Sequence, residues 1–497
     1  MSVRVRYAPS PTGSPHVGNI RTALYNHLFA RRNQGTVVLR IEDTDRARAV
    51  PGCEEEIIES LRYVGVEWQE GPHRQSERAA QGLYQPHIDS LLSSGHAYLA
   101  FETPEELAEM REEQSRHKQA TGYFGGAWRD AKVSDVERAR AEGRPCVMRL
   151  RIPRDETIRF DDAVRGSIEV DSNVVDDPVL IKADGMPTYH FAAMVDDYIM
   201  GITHVFRGEE WIASAPKHIV LFQALGWEPP VLVHLPVIKG KDGSKLSKRH
   251  GDTACLDFRR AGYLGDALAN FIALIGWSPG DDREIMTLDA MSEAFDLRGI
   301  QPSSGVFDPE KLDWMQGEYV RARPLPRLAD EVRAYAGIQE NIEFLKAKGD
   351  EAVADSLEIL SWAEPSQAEA AVGLLQQRCT RLGEFGPACK PYLVGQPEID
   401  PSASTKWFGE PHVRALLSTL KDRILELPGD PDEAWCEETL RGLQSELSLE
   451  KLGPIVHPVR VALTGTTVGP GLFELMALLG RDRMAARLES ALGSLPN

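Results

Sequence analysis

Apolar and polar positions change period repeatedly along the first part of the chain. Val3, Val5 and Tyr7 alternate with polar neighbours, as a strand requires. The turn residues Pro9-Ser-Pro-Thr-Gly13 follow, and Ile20, Leu24 and Leu28 then recur at helical spacing until Gly35 ends the predicted helix. Thr36-Val-Val-Leu-Arg-Ile41, rich in β-branched residues, reads as a second strand, and Ile57, Ile58, Leu61 and Val64 mark another helix. Strand and helix in alternation predict a parallel sheet covered by helices.

From about 96 to 180 the pattern changes to a charged helical run (Glu105 to Gln119), a Gly-rich turn at Tyr123-Phe-Gly-Gly126 and short strands around Cys146 to Ile152. We read this stretch as an insertion, because alternation resumes with Val179-Leu-Ile-Lys182, a helix from about Trp211 to Leu225, and the strand Leu232 to Ile238. From about 330 onward the signals are helical, broken by the Pro-bearing stretch Val394 to Pro401, which reads as a hinge between two helical parts. Met484, Leu488, Leu492 and Leu495 stack on one face of the last helix. No repeat at a fixed period occurs, which disfavours a solenoid.

A chain of 497 residues exceeds a single core, and about three or four units are expected. With 42% hydrophobic and 26% charged residues the composition excludes wholesale disorder and fibrous classes. No apolar run approaches the roughly 18–20 residues of a membrane helix, and the N-terminus lacks a signal peptide's apolar core, so a cytoplasmic protein without membrane partners is expected. The six cysteines show no short paired spacing, which indicates neither a disulfide framework nor a zinc site. The net charge of −19 argues against nucleic acid only as a total. Locally, residues 1–48 carry eight arginines against three carboxylates, and residues 239–249 carry five cations against Asp242. Two positive islands in an acidic chain suggest anion sites.

Each island holds a candidate motif. Ala8-Pro-Ser-Pro-Thr-Gly-Ser-Pro-His-Val-Gly18 lies between a strand and a helix, where a phosphate would meet free backbone N–H groups and the positive end of the helix dipole. His16 could donate to a phosphate, and Gly18 has no side chain to block a nucleotide base. The plain alternative is a tight turn with an exposed histidine. Lys241-Asp-Gly-Ser-Lys-Leu-Ser-Lys-Arg249 is a glycine-hinged basic loop whose ammonium groups could follow a triphosphate into its transition state. Its plain alternative is a solvated charge run.

In combination the motifs are far more specific. Pro15-His-Val-Gly18 and Lys245-Leu-Ser-Lys-Arg249 resemble, in the right order, the "HIGH" and "KMSKS" signatures of class I aminoacyl-tRNA synthetases. Arg6-Tyr-Ala-Pro-Ser-Pro-Thr-Gly13, Arg40-Ile-Glu-Asp-Thr-Asp-Arg46, Pro187-Thr-Tyr-His190 and Phe206-Arg-Gly-Glu-Glu-Trp211 resemble segments of bacterial glutamyl-tRNA synthetases. So do the stretch Val306 to Met315, Ala462-Leu-Thr-Gly465 and Gly469-Pro-Gly-Leu-Phe473, so the resemblance spans the whole chain.

The resemblance implies that the α-carboxylate of L-glutamate attacks the α-phosphate of ATP, carried with Mg2+, and that the acyl group then passes to the 3'-terminal ribose of tRNA(Glu). Positioning and anion stabilisation suffice, without an enzyme nucleophile. By resemblance His16, Lys245 and Lys248 are catalytic, and ATP meets His16, Gly18, Glu210, Ile238, Lys245, Leu246, Ser247 and Lys248. Arg6, Ala8, Ser10, Glu42, Tyr189 and Arg207 match the glutamate-binding positions. Arginine forks suit the carboxylates and an acid suits the ammonium. Glutamine in their place would leave an arginine charge poorly compensated. Without the resemblance, Arg6 reads as a strand residue facing solvent and Glu42 as a surface partner of Arg46.

Two departures stand out. Where some relatives carry a Cys-rich zinc site, Leu99-Ala-Phe-Glu-Thr103 and Trp128-Arg-Asp130 hold no cysteine, so no structural zinc is expected. Ala193 stands where some relatives place a polar residue, so no substrate contact is carried onto it. Arg378, Arg460, Pro470 and Leu472 match anticodon-contacting positions, and an Arg at the first is associated with distinguishing tRNA(Glu) from tRNA(Gln). Unstacked loop bases are read by stacking and hydrogen bonds.

The expected fold is α/β: a Rossmann-like parallel nucleotide-binding sheet with an inserted α/β domain, followed by an all-α C-terminal anticodon-binding region. The expected organisation is a catalytic domain in two halves, 1–95 and 183–240, an acceptor-end-binding insertion at 96–182, and a loop and stem-contact domain at 241–325. Helical anticodon-binding parts follow at 326–392 and 393–497. A monomer is expected. The alternatives are a catalytically inactive synthetase-derived tRNA-binding protein and a non-discriminating form that also charges tRNA(Gln). A related nucleotidyltransferase, or a truncated synthetase acting on a modified tRNA base, leaves the helical third unexplained.

Overall fold

A computed structural model describes residues 2–45, 47–247 and 253–495. The chain forms two compact units, one of Met1–Asp257 with Leu268–Pro309, the other of Phe258–Ala267 with Glu310–Asn497.

The first unit is built on a seven-stranded sheet. Its strands are β1 (Arg4–Tyr7), β2 (Thr36–Ile41), β3 (Glu70–Arg74), β6 (Thr157–Asp162), β7 (Gly166–Asp171), β9 (His204–Gly208) and β10 (Val231–Leu235), in the order β3-β2-β1-β9-β10-β6-β7. All pairings are parallel except β6 with β7. β2 is buried at five consecutive positions, which is why its sequence is a continuous apolar run broken only by Arg40. β6 alternates exposed and buried positions, as a strand near a sheet edge does. Thus the β6–β7 hairpin, inside the stretch read as an insertion, extends the seven-stranded sheet. A separate antiparallel sheet joins β4 (Ala97–Ala100), β5 (Val147–Leu150) and β8 (Val179–Ile181).

Local boundaries depart from the sequence reading for identifiable reasons. Helix α1 (Val17–Arg32) is capped by Asn33, and the left-handed turn after it falls on Gln34, at φ 51°. Gly35 is needed for another reason: a Cβ there would lie 2.4 Å from the Val3 carbonyl oxygen. The helix expected from Trp211 begins as a 3-10 turn, Glu209–Ser214, and becomes α-helical only over Ala215–Ala224, with Pro216 in its first turn. The strand expected to run through Ile238 stops at Leu235, before Pro236, and Ile238–Lys239 (β11) pairs instead with Gly305–Val306 (β12).

The second unit is helical around one continuous core that includes Leu357, Phe385, Leu416, Val459 and Leu475. The Pro-bearing stretch separates the helix Phe385–Leu393 from the helix Pro401–Trp407, which Asp400 caps. The last helical stretch, Leu472–Ser494, is interrupted at Gly480 (φ 71°), where Asp430 Oδ1 accepts from the Arg481 N–H at 2.8 Å. Among the described residues no helix is long and apolar enough to cross a membrane.

Candidate active site

The turn after β1 delivers His16 to the N-terminus of α1. Its Nδ1 accepts from the backbone N–H groups of Gly18 (3.0 Å) and Asn19 (3.3 Å), while the Asn19 side chain accepts from the His16 N–H, completing a capping box. With Nδ1 an acceptor, neutral imidazole carries its proton on Nε2. Gly18 is required here, since a Cβ would lie 2.8 Å from His16 Cε1 and displace the ring.

The basic segment folds back on its own strand upstream, and the residues that follow it are tied to this corner. On one side Leu246 donates to the Ile238 carbonyl (2.9 Å), and Lys245 pairs with Lys239 in an isolated bridge. On the other, Val17 donates to the Thr253 carbonyl (3.0 Å), Cys255 donates to that of Pro15 (2.9 Å), and His16 bridges Ala254. The intervening Lys248 lies outside the described residues. Desolvation, then the charge of Lys245, hold the His16 pKa below its ordinary value against the opposing charge of Glu210. Glu210 is exposed and Ile238 buried. Glu209, adjacent, is an anchor: it accepts from the Val237 N–H at 2.8 Å and pairs with Arg165.

The candidate amino-acid pocket is built on the neighbouring strands. Arg6 and Glu42 are buried, at 4% and 7% exposure, which overturns the solvent-facing reading of both. Arg6 donates to Asp197 (Nε to Oδ1, 3.1 Å) and to the Phe206 carbonyl (3.2 Å). Arg40 lies between Asp197 (2.7 Å) and Glu42 (3.1 Å). Burial alone would raise the Asp197 carboxyl, but Arg6 and Arg40 outweigh it and hold the pKa low. At Glu42 burial wins over the same two arginines and pushes the pKa up. Tyr189, at the start of the helix Tyr189–Ile199, packs against Trp211 with ring centroids 4.3 Å apart. Its phenol is raised by burial, opposed by Arg207 and Arg6 and aided by Glu42, so these groups share one neighbourhood. Ala8 is half-buried and Ser10 exposed on the adjoining turn.

Arg207 is buried (5% exposed) and has no ion-pair partner among the described residues. Its Nε donates to His234 Nε2 (2.9 Å), its Nη1 faces His218 Nδ1 (3.0 Å), and its Nη2 is left without a hydrogen bond. Desolvation is the main influence lowering its pKa. The pair Arg207 and His234 follows from the register, which sets these residues opposite each other on β9 and β10.

In the helical unit Arg460 is buried (8%) with Nη1 unpartnered, beside Gly469, where a Cβ would approach it to 2.8 Å. Desolvation lowers its pKa, Tyr392 opposes and the exposed Arg378 adds to the lowering, so the two arginines and Tyr392 are close. The Tyr392 phenol is pushed up to about 12 by burial. Pro470 is buried, and Leu472 is a core residue at 4% exposure.

Sequence reasoning missed Arg40, Asp162, Asp197, His218 and His234. The available signal was polarity where the pattern demands a core residue: Arg40 in a buried strand, His234 within Val-Leu-Val-His-Leu, and His218 in an apolar helix. Among the described residues no group of three or more His, Cys, Asp or Glu side chains is placed to hold a metal ion.

Comparison with known proteins gives the class first. Residues 2–314 match the family described as tRNA synthetases class I (E and Q), catalytic domain, and residues 327–492 match an anticodon binding domain. The chain is 43% identical to the glutamate–tRNA ligase of Acidothermus cellulolyticus, covering 99% of this chain and 95% of that protein. It is 40% identical to that of Thermus thermophilus, over 99% and 100%. A crystal structure of the glutamate tRNA ligase from Elizabethkingia meningosepticum in complex with its amino acid superposes with a TM-score of 0.86 at 33% identity, covering both chains completely. The chain therefore belongs to the glutamate–tRNA ligase family.

Proposed function

We propose that this chain activates L-glutamate with ATP and transfers it to the 3'-terminal ribose of tRNA(Glu). The observation that carries the reading is the fastening of residues 253–255, just after the basic segment, to the His16 corner, with the charge of Lys245 acting on His16, on the same sheet that presents Arg6 and Arg207. The triphosphate lies at the α1 N-terminus, where backbone N–H groups and the helix dipole favour phosphate. His16 donates from Nε2, and Lys245, with Lys248, follows charge onto the leaving diphosphate. Gly18, Glu210, Ile238, Leu246 and Ser247 border the nucleotide. Mg2+ enters with the triphosphate as part of the substrate.

Glutamate is held by Arg6, Tyr189 and Arg207 through carboxylates and by Glu42 through its ammonium, with Ala8 and Ser10 on the turn beside it. The α-carboxylate becomes the acyl group of the adenylate and loses its charge. A buried, unpaired guanidinium matches the carboxylate that keeps its charge through both steps, so Arg207 faces the side chain of glutamate.

The organisation that suits this reaction is a catalytic domain (1–95 and 183–240), an acceptor-end insertion (96–182), a stem-contact region (241–325) and two anticodon-binding parts (326–392 and 393–497). Arg378 and Arg460 read the anticodon, with Pro470 and Leu472 beside them. The enzyme acts as a cytoplasmic monomer and discriminates against tRNA(Gln). The test is ATP–diphosphate exchange with glutamate, with and without tRNA(Glu), followed by charging of purified tRNAs. Exchange that depends on glutamate and is stimulated by tRNA(Glu) supports the reading, and no exchange under either condition refutes it. Comparable charging of tRNA(Gln) refutes discrimination alone.

A further inference from the structure

Arg207 is held in an unusual way for a buried guanidinium: its direct nitrogen contacts are two histidines, with the Tyr189 phenol beside it and the charge of Asp197 acting on it without a direct ion pair. An arginine has only donors, so both facing nitrogens must be bare. His218 then accepts on Nδ1 and carries its proton on Nε2, which faces His190 Nδ1 at 3.0 Å. His234 accepts on Nε2 and carries its proton on Nδ1, 2.6 Å from Asp162 Oδ2. Asp162 in turn also accepts from the backbone N–H groups of Val164, Arg165 and His234. The tautomers are fixed from Asp162 at one end to His190 at the other, and neither histidine brings a negative charge to Arg207.

We propose that His218 and His234 are specificity-determining positioning residues: as neutral acceptors they orient Arg207 without neutralising it, so its charge is reserved for the side-chain carboxylate and sets the preference for glutamate over glutamine. A carboxylate in either place would orient the fork equally well but pair with it. A glutamine amide would then fit almost as well as a carboxylate, because specificity rests on the difference between the two. Burial and the charge of Arg207 hold His218 well below its ordinary pKa. His234 is lowered by burial first, with Asp162 opposing, so both stay neutral around pH 7. This inference rests on the reading of Arg207 as a glutamate contact.

The test compares glutamate and glutamine in tRNA-dependent ATP–diphosphate exchange. His218→Asp places a carboxylate near the Nδ1 position, and His218→Asn places a neutral acceptor there. The glutamate-to-glutamine ratio of kcat/KM should fall at least tenfold in His218→Asp, through a higher KM for glutamate with little change in that for ATP. His218→Asn should hold the ratio within a few-fold. An unchanged ratio in His218→Asp, or an equal fall in both variants, overturns the proposal. Should His218→Asp not fold, nitrogen NMR of histidine-labelled enzyme decides. His218 and His234, assigned through His218→Asn and His234→Gln, should be neutral with bare nitrogens toward Arg207, and an imidazolium at either overturns the proposal. Arg207→Gln is the separate control: retained glutamate activation in that variant sinks the pocket reading itself.

Discussion

Replacing Asp197 by Asn removes one charge from the centre of the pocket's support and almost no volume. Asp197 is 1% exposed and accepts from Arg6 Nε at 3.1 Å and from Arg40 Nη1 at 2.7 Å. Arg40 is fully buried, and Glu42 at 3.1 Å and Asp196 at 3.9 Å are its other carboxylate partners. Arg6, Arg40 and Arg78 are balanced by Asp196, Asp197 and Glu42, so the substitution leaves one positive charge in excess where water cannot screen it. Breaking a buried ion pair from one side costs about 3–5 kcal/mol, and the retained amide oxygen recovers ~1 kcal/mol, for a net loss of about 2–4 kcal/mol. The thermal transition of the catalytic unit should drop by roughly 5–10 °C. Because Arg6 loses the carboxylate charge that holds it in place, kcat/KM for glutamate should fall by roughly 30-fold or more. The KM for ATP should move little, since the His16 corner is fastened independently. Differential scanning fluorimetry and ATP–diphosphate exchange measure the two effects. A variant with the parental melting temperature and glutamate KM would show that the Arg6–Asp197–Arg40 arrangement does not support the pocket.

Other outcomes follow from single features. Gly18→Ala should raise the KM for ATP or lower kcat at least ~10-fold while the melting temperature barely shifts, because the added Cβ dislodges the His16 ring from its cap. Unchanged exchange kinetics contradict that role. Arg487, fully buried, donates to the carbonyls of Pro391 (2.7 Å), Val394, Gly395 and Leu463, and desolvation lowers its pKa to about 10. Arg487→Met should destabilise the helical unit by about 1–3 kcal/mol, the orphaned carbonyls outweighing relief of the buried charge, and an unaltered urea midpoint argues otherwise. Lowering pH should weaken the fold before most carboxylates protonate. His190 is lowered from 6.5 to about 4 by burial first, then by Lys217. His218 and His234 are also lowered, His218 facing Arg207, His190, His234 and Lys217. The unfolded chain therefore binds more protons, and stability is complete above pH ~6.5 and declines as pH falls toward ~4. Glu42, raised by burial, works in the opposite sense but is one group. The urea midpoint should be lower at pH 5 than at pH 7.5, and a rise would contradict the neutral histidine chain.

The sequence carried the alternation of the central sheet because β2, buried on both faces, demands a continuous apolar run, and α1, buried over most of its surface, keeps Ile20, Leu24 and Leu28 at helical spacing. It carried the His16 and Lys245 motifs because a phosphate-binding corner and a basic hinge have few chemical solutions. The meeting of those motifs was expected through the resemblance and not from local pattern, since the fastening of Cys255 to Pro15 is a backbone contact that no side chain announces. The β6–β7 hairpin escaped because its alternation is short and half-exposed. Arg40 and Asp197 stand 157 positions apart, and their pairing depends on the helix Tyr189–Ile199 packing across the strands. His218 and His234 look like ordinary core histidines until the β9–β10 register sets Arg207 beside them.

A crystal structure with a non-hydrolysable glutamyl-adenylate analogue tests the central claim most directly. The account predicts the phosphate mimic between His16 Nε2 and Lys245, with the side-chain carboxylate of the glutamyl group on Arg207 Nη2. A glutamyl carboxylate bound away from Arg207, or a nucleotide that leaves the His16 corner empty, would contradict it.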